Sequence, residues 1–172
     1  SNFFHQRSNT NLGIILLLSP LSVAAGLAIN PENLLCEERN LRAFSAKVME
    51  QTTITDAILV SEGINLANPG GMGSTEKYNL NDTQLASQLK DDKITLLKLM
   101  NTCVTRDTIC SELANNFEIT FNTGLKKLYG SLQLSKDINL AIIDVYLEIL
   151  ANYPDTLVKR KFGIKVARNV SN

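Results

Sequence analysis

The chain has 172 residues, 44% of them hydrophobic and 20% charged, with nine Gly and four Pro. That is one domain's length with enough aliphatic material for its own core, which excludes a disordered chain. Lys plus Arg and Asp plus Glu each number 17, so the formal net charge is zero and no nucleic-acid partner is expected.

Residues 12–29 open with the apolar run Leu12-Gly13-Ile14-Ile15-Leu16-Leu17-Leu18. With His5 and Arg7 ahead of it and Ala24-Ala25-Gly26-Leu27-Ala28 behind, the run imitates a targeting signal. Ser19, Pro20 and Ser22 interrupt a stretch barely of spanning length, and Asn9-Thr10-Asn11 suits a helix start with an Asn cap. The segment reads as a buried core helix kinked at Pro20, with no membrane as partner.

Asn30-Pro31-Glu32 has the form of a cap and first turn, for a helix reaching about Gln51 with Leu34, Leu35, Leu41, Phe44 and Val48 on its stripe. A further helix begins at Thr55-Asp56 and carries Ile58, Leu59 and Ile64. Residues 68–82 form the one long loop, with Pro69-Gly70-Gly71-Met72-Gly73 inside it. Residues 92 to about 131 read as a long helical stretch broken once or twice, and 135–153 as another with Ile138, Ile142, Val145, Tyr146 and Ile149 on one face. Pro154 ends it, Asp155 caps the next, and a last helix runs from Thr156 to about Val170. No alternating segment pairs with another, so the expectation is an all-α, single globular multi-helix domain over residues 1–172 with one long Gly-rich loop.

The cysteines are Cys36, Cys103 and Cys110, an odd set without a framework pattern. Seven residues apart on a helix, Cys103 and Cys110 share a face and read as buried free thiols, in a reducing, cytoplasmic setting. The sole histidine is His5 and there is no CxxC, which argues against structural zinc. No GxSxG elbow exists for a serine hydrolase.

Chemistry concentrates in four clusters, each with a plain structural reading beside it. Asn9-Thr10-Asn11-Leu12-Gly13 offers amides at a helix start for a ribose hydroxyl or phosphate, or simply a cap. Gly70-Gly71-Met72-Gly73 permits close backbone approach to a phosphate or nucleotide, or is an ordinary loop. Arg106-Asp107 precedes Asn115, Asn116 and Glu118; Asp107 and Glu118, eleven residues apart, face the same way on a continuous helix. An exposed face would need no further explanation. Residues 155–172 hold Lys159, Arg160, Lys161, Lys165 and Arg168 against Asp155 alone, a patch fit for a polyphosphate or a solvated helix end.

In this order the segments resemble the triphosphoribosyl-dephospho-CoA synthase family, particularly its archaeal-type and short members. The resemblance is carried by Asn9-Thr10-Asn11-Leu12-Gly13, Gly70-Gly71-Met72-Gly73 with Asn81-Asp82, Arg106-Asp107, Asn115-Asn116-Phe117-Glu118, Tyr146-Leu147, and Pro154-Asp155-Thr156-Leu157 with Arg160-Lys161. It implies an all-helical transferase that joins ATP to dephospho-CoA with release of adenine, a ribose hydroxyl attacking the anomeric carbon of ATP. Such chemistry asks for a base, a stabilised oxocarbenium-like ribose and neutralised phosphates with Mg²⁺. On that resemblance Asp107 and Glu118 are candidates for base or Mg²⁺ ligand and Asp155 is a third carboxylate. Arg106, Lys159, Arg160 and Lys161 would hold phosphate, and Asn9, Asn11, Gly70, Gly71, Gly73 and Asn115 would position nucleotide.

The chain departs from the lyase-associated synthases, which carry Thr-His-Lys or Thr-His-Arg where Asn11-Leu12-Gly13 stands here. Asp144 takes a place where short relatives tend to have His. A related protein of one-carbon cofactor (tetrahydromethanopterin) synthesis with another acceptor, or a non-catalytic nucleotide-binding module, shares the pattern. The family's Pro-Lys-Pro-Gly type element is absent from the chain. The chain therefore reads as the C-terminal two-thirds of a longer domain, completed by an N-terminal segment or acting as a homodimer.

Overall fold

The computed structural model describes residues 11–171. Among them every regular element is helical, as expected. The order is α1 (Leu12–Ala28), α2 (Glu38–Glu50), α3 (Ile54–Ala67), α4 (Leu85–Asp91), α5 (Leu96–Asn101) and α6 (Thr108–Ala114). A π-helical turn (Thr120–Leu125) then runs into α7 (Lys126–Ser135), followed by α8 (Ile138–Asn152), α9 (Thr156–Phe162) and α10 (Ile164–Ser171).

Local chemistry explains several of the starts. Thr53 and Asp56 form a capping box on α3: the Thr53 hydroxyl accepts from the Asp56 N–H, and Asp56 accepts from the Thr53 N–H at 2.7 Å. Those bonds to the charged form hold the Asp56 carboxyl below its ordinary value of 3.8, the backbone bond contributing most. Asp107, Asp137 and Asp155 each cap a helix by accepting two backbone N–H groups. The left-handed Asn68 ends α3 and releases the glycine loop.

Several sequence expectations need correction. The helix expected from Pro31 begins only at Glu38. Asn30 builds a turn instead of a cap: its side chain accepts from the Glu32 N–H, and its carbonyl from the N–H of Leu34, which sits at φ +56°. Helix α4 follows the expected 68–82 loop, in a stretch to which the sequence had assigned no element. The stretch expected from 92 becomes helical only at Leu96, and its two breaks, at 102–107 and 115–117, agree with the one or two anticipated.

The core gathers Met49, Ala57, Leu85, Leu89, Leu99, Met100, Leu113, Phe117 and Phe121. Helix α1 lies along α2 and touches α6, but only Ala24 and Ala28 of it are buried. Ile14, Ile15, Leu18, Val23 and Leu27 are all more than half exposed, so the expected burial of α1 holds on one side only. On α8, Ala141 is buried while Ile138, Ile142 and Tyr146 of the predicted face are exposed. Helices α1 and α8 are each covered along one stripe, and small residues occupy that stripe. Among the described residues no helix is long and apolar enough to cross a membrane.

Candidate functional site

One end of the bundle brings together the glycine loop, the start of α6 and the start of α9. Asp107 heads α6, its Oδ1 accepting from the N–H groups of Ile109 (2.8 Å) and Cys110 (3.3 Å). Its Oδ2 pairs with Nη1 of Arg160 from α9. Arg160 also donates through Nε to the Gly71 carbonyl at 3.0 Å and through Nη1 to the Arg106 carbonyl at 3.2 Å. Arg106 in turn donates to the Met72 carbonyl at 3.2 Å. Two guanidinium groups thus pin the glycine loop to the helix starts. The Thr108 N–H and the Thr156 hydroxyl complete the junction at 3.2 Å.

Gly71 is required here. Gly71 has φ +79°, and a Cβ on it would lie 3.1 Å from Lys161 Cγ and 3.2 Å from Leu157 Cδ1. Gly70 lies under the same side chain, with Lys161 Nζ 3.2 Å from where its Cβ would be. Lys161 is exposed and has no hydrogen bond or ion pair among the described residues, so its ammonium is available at the loop. At the other side, a Cβ on Gly13 would come within 2.8 Å of Ile109 Cδ1; α1 therefore starts directly against the start of α6, with Asn11 at its N-cap position.

Other predicted residues fall elsewhere. Asn9 lies outside the described residues. Asp155 is exposed and spent on the α9 cap, its Oδ1 accepting from Leu157 (2.7 Å) and Val158 (2.9 Å). Lys159 and Glu118 are exposed, neither with a hydrogen-bonded side chain nor an ion pair among the described residues. Asn115 donates to Ser111 on its own helix at 3.2 Å.

The shared face proposed for Asp107 and Glu118 does not exist, because the helix between them is broken. Asn116 (φ +57°) and Phe117 (φ +55°) are consecutive left-handed residues, and Phe117 is fully buried. Glu112, which the sequence reading passed over, holds the break: its buried carboxylate accepts from the N–H groups of Ile119 and Thr120, both at 2.8 Å. Asn116 Oδ1 is buried without a hydrogen-bond partner among the described residues. A lone Glu between Ile109 and Leu113 on the helix's apolar side was the signal available for Glu112.

The thiol reading is likewise corrected. Cys103 and Cys110 form a disulfide, their Cα atoms 5.7 Å apart, across the turn between α5 and α6. Cys36 is free and exposed.

Two concavities flank the loop. An apolar cavity of about 120 Å³ lies between α3, α5 and the loop, walled by Ile64, Met72, Leu80, Leu99 and Met100, with Arg106 and Arg160 also lining it. Tyr78 lines it too; its hydroxyl donates to Asp92 Oδ2 at 2.9 Å, a bond that raises the phenol above its ordinary value and keeps it protonated. A more polar basin on the loop's other side includes Asn68, Ser74, Asn81 and Asp82. Among the described residues no three His, Cys, Asp or Glu side chains gather as a metal site. Both Asp107 oxygens are already engaged, whereas Asp155 Oδ2 and both Glu118 oxygens accept no hydrogen bond among the described residues.

Residues 3–172 match the family described as CitG: ATP:dephospho-CoA triphosphoribosyl transferase. The chain belongs to the CitG family. A crystal structure from Archaeoglobus fulgidus, described as that of a candidate triphosphoribosyl-dephospho-CoA synthase, superposes with a TM-score of 0.70 at 24% identity. At that identity the likeness speaks for fold alone. The match covers 92% of this chain and 62% of the A. fulgidus chain, so this CitG-family chain spans under two-thirds of that protein's length. No curated protein matches it. Of the segments that carried the sequence resemblance, Gly70–Gly73, Arg106-Asp107 and Asp155–Lys161 meet at the loop–α6–α9 junction, whereas Asn115–Glu118 lies beyond the break and Tyr146-Leu147 is exposed on α8.

Proposed function

We propose that this chain carries the nucleotide-handling end of a triphosphoribosyl transferase that joins ATP to dephospho-CoA. The observation that supports it most is the junction itself: a family match over residues 3–172 whose glycine loop is clamped by Arg106 and Arg160 beneath Lys161. In the reaction, a ribose hydroxyl oxygen of dephospho-CoA forms a bond to C1′ of ATP's ribose. The C1′–N9 bond breaks with its electron pair going to adenine, and the hydroxyl proton passes to a base. Asp155, whose Oδ2 is open at the α9 start, and Glu118, open but beyond the helix break, are the candidates for that base. Asp107 is a positioning residue, orienting Arg160 and fixing the α6 start.

Lys161 supplies charge for a phosphate and the Gly70–Gly71 backbone lets one approach. Mg²⁺ would arrive with the ATP phosphates, neutralising charge there with few protein ligands. The protein's setting is proposed to be cytoplasmic, where both substrates reside, and a homodimer or a further family segment is proposed to complete the site. A reducing setting opens Cys103–Cys110, which makes the thiol state of the native protein a direct check on location.

A second reading, a nucleotide-binding module without turnover, is favoured by one observation: Asp107 and Asp155 both serve as helix caps. Chromatography of adenine after incubation with ATP, Mg²⁺ and dephospho-CoA separates the two. The transferase reading expects adenine release that falls at least tenfold in Glu118→Gln and in Asp107→Asn. Full turnover in both variants removes the residue assignment; ATP binding with no adenine release from any acceptor favours the module.

A further inference from the structure

We propose that the apolar cavity between α3, α5 and the glycine loop receives the adenine ring of a bound nucleotide, selected by its exocyclic amine. The proposal rests on the nucleotide reading above and adds the site of the base. At about 120 Å³ the cavity is well under the ~300 Å³ at which pockets begin to hold drug-sized ligands, so it suits one ring system with the rest of the molecule outside. Its walls are the surfaces a flat heteroaromatic ring packs against: Ile64, Leu80 and Leu99, the thioethers of Met72 and Met100, and the Tyr78 ring.

Two polar groups in the lining, Ser61 and Thr102, favour a base that carries an amine, beside the donors Lys77, Asn79 and Arg106. Ser61 Oγ already donates to the Ala57 carbonyl at 2.7 Å, and Thr102 Oγ1 to the Leu99 carbonyl at 2.7 Å. A hydroxyl has one donor and two acceptor lone pairs, so with their donors spent both can meet a ligand only as acceptors. An amino substituent on the ring satisfies them, whereas a carbonyl in the same place faces their lone pairs. Charge at the opening agrees: Lys77 and Arg106 line the cavity, Asp107 is neutralised by Arg160, and Lys161 stands over the adjoining Gly70–Gly71. A base inside with an anionic tail outside fits this distribution. ATP and dephospho-CoA both carry adenine, so the chemistry is shared and the sources are separable by experiment.

The test is equilibrium binding, by calorimetry with Mg²⁺, of ATP, inosine triphosphate, tripolyphosphate and dephospho-CoA to the intact chain and two variants. Ser61→Ala removes an acceptor with little change of volume; Thr75→Trp, on the loop, fills the cavity. ATP is expected to bind the native chain about tenfold more tightly than inosine triphosphate. Ser61→Ala should shrink that preference, and Thr75→Trp should weaken an adenine nucleotide by tenfold or more while tripolyphosphate binds as before. Loss confined to ATP assigns the base to ATP, and loss confined to dephospho-CoA assigns it to that substrate; either supports the proposal. Equal binding of the adenine and hypoxanthine nucleotides, or undiminished adenine-nucleotide binding by both folded variants, overturns it. Adenine release that persists in that case leaves the transferase reading standing. ATP binding that obeys the pattern without adenine release sinks the transferase reading alone, and no nucleotide binding at all overturns both.

Discussion

Arg160 ties three segments with one planar group: the Asp107 carboxylate, the Gly71 carbonyl and the Arg106 carbonyl. Its side chain is 17% exposed and that of Asp107 21%, so the pair is neither fully buried nor a surface pair. Removing one partner leaves the other partly desolvated and unpaired. Arg160→Ala is therefore expected to lower the unfolding free energy by about 1–3 kcal/mol. Arg160→Lys should recover little of it, because an ammonium cannot make the forked set of bonds. Chemical denaturation of the variants decides; a Lys variant as stable as the native chain would contradict the clamp.

The same scale holds a pH prediction. Asp56 titrates below its ordinary value of 3.8 in the folded chain, so the fold binds its proton less readily than the unfolded chain does. Its contribution is complete above about pH 3.8 and fades as pH falls through the lower folded value. Thr53→Ala, which removes the facing cap, should cost about 1 kcal/mol at neutral pH. The stability gap between the native chain and Asp56→Asn should narrow in acid; a gap that widened there would reverse the assigned sign.

Between residues and the whole stand the helix joints. The Cys103–Cys110 disulfide closes the joint between α5 and α6, beside the Arg106–Asp107 start. Reduction by a dithiol is expected to cost about 2 kcal/mol, read as a fall in melting temperature that Cys103→Ser/Cys110→Ser reproduces. In the unreduced, denatured chain only Cys36 should react with a thiol reagent; three reactive thiols would contradict the bridge.

Which elements were legible follows from the range of the interactions that make them. The Asp155 cap of α9 was read directly; the α3 box and the Asp107 and Asp137 caps also use partners within three residues but were passed over, Asp107 being taken for a catalytic carboxylate. The break at Asn116–Phe117 depends on Glu112 reaching over to Ile119 and on the burial of Phe117, which periodicity cannot register. The cysteines were misread for the same reason. Seven residues of unbroken helix would separate their Cα atoms by about 10 Å, whereas the turn at 102–107 brings them to 5.7 Å. The loop glycines were legible as candidates, but not the arginines' use: they hold the loop's own carbonyls.

At the scale of the molecule, a neutral chain concentrates its chemistry at one end of a helical bundle. Apolar side chains of α1 and α8 remain exposed, in a chain that spans 62% of the A. fulgidus protein. The CitG family membership rests on residues 3–172, and the transferase activity is what the clamped glycine loop, Lys161 and the open Glu118 are proposed to serve. The most direct test is mass spectrometry of the products formed from ATP and dephospho-CoA together, with each substrate alone as control. The account predicts a product with the mass of both substrates less adenine, formed only when both are present and matched mole for mole by free adenine. A folded chain that binds ATP yet forms neither that product nor adenine would contradict it.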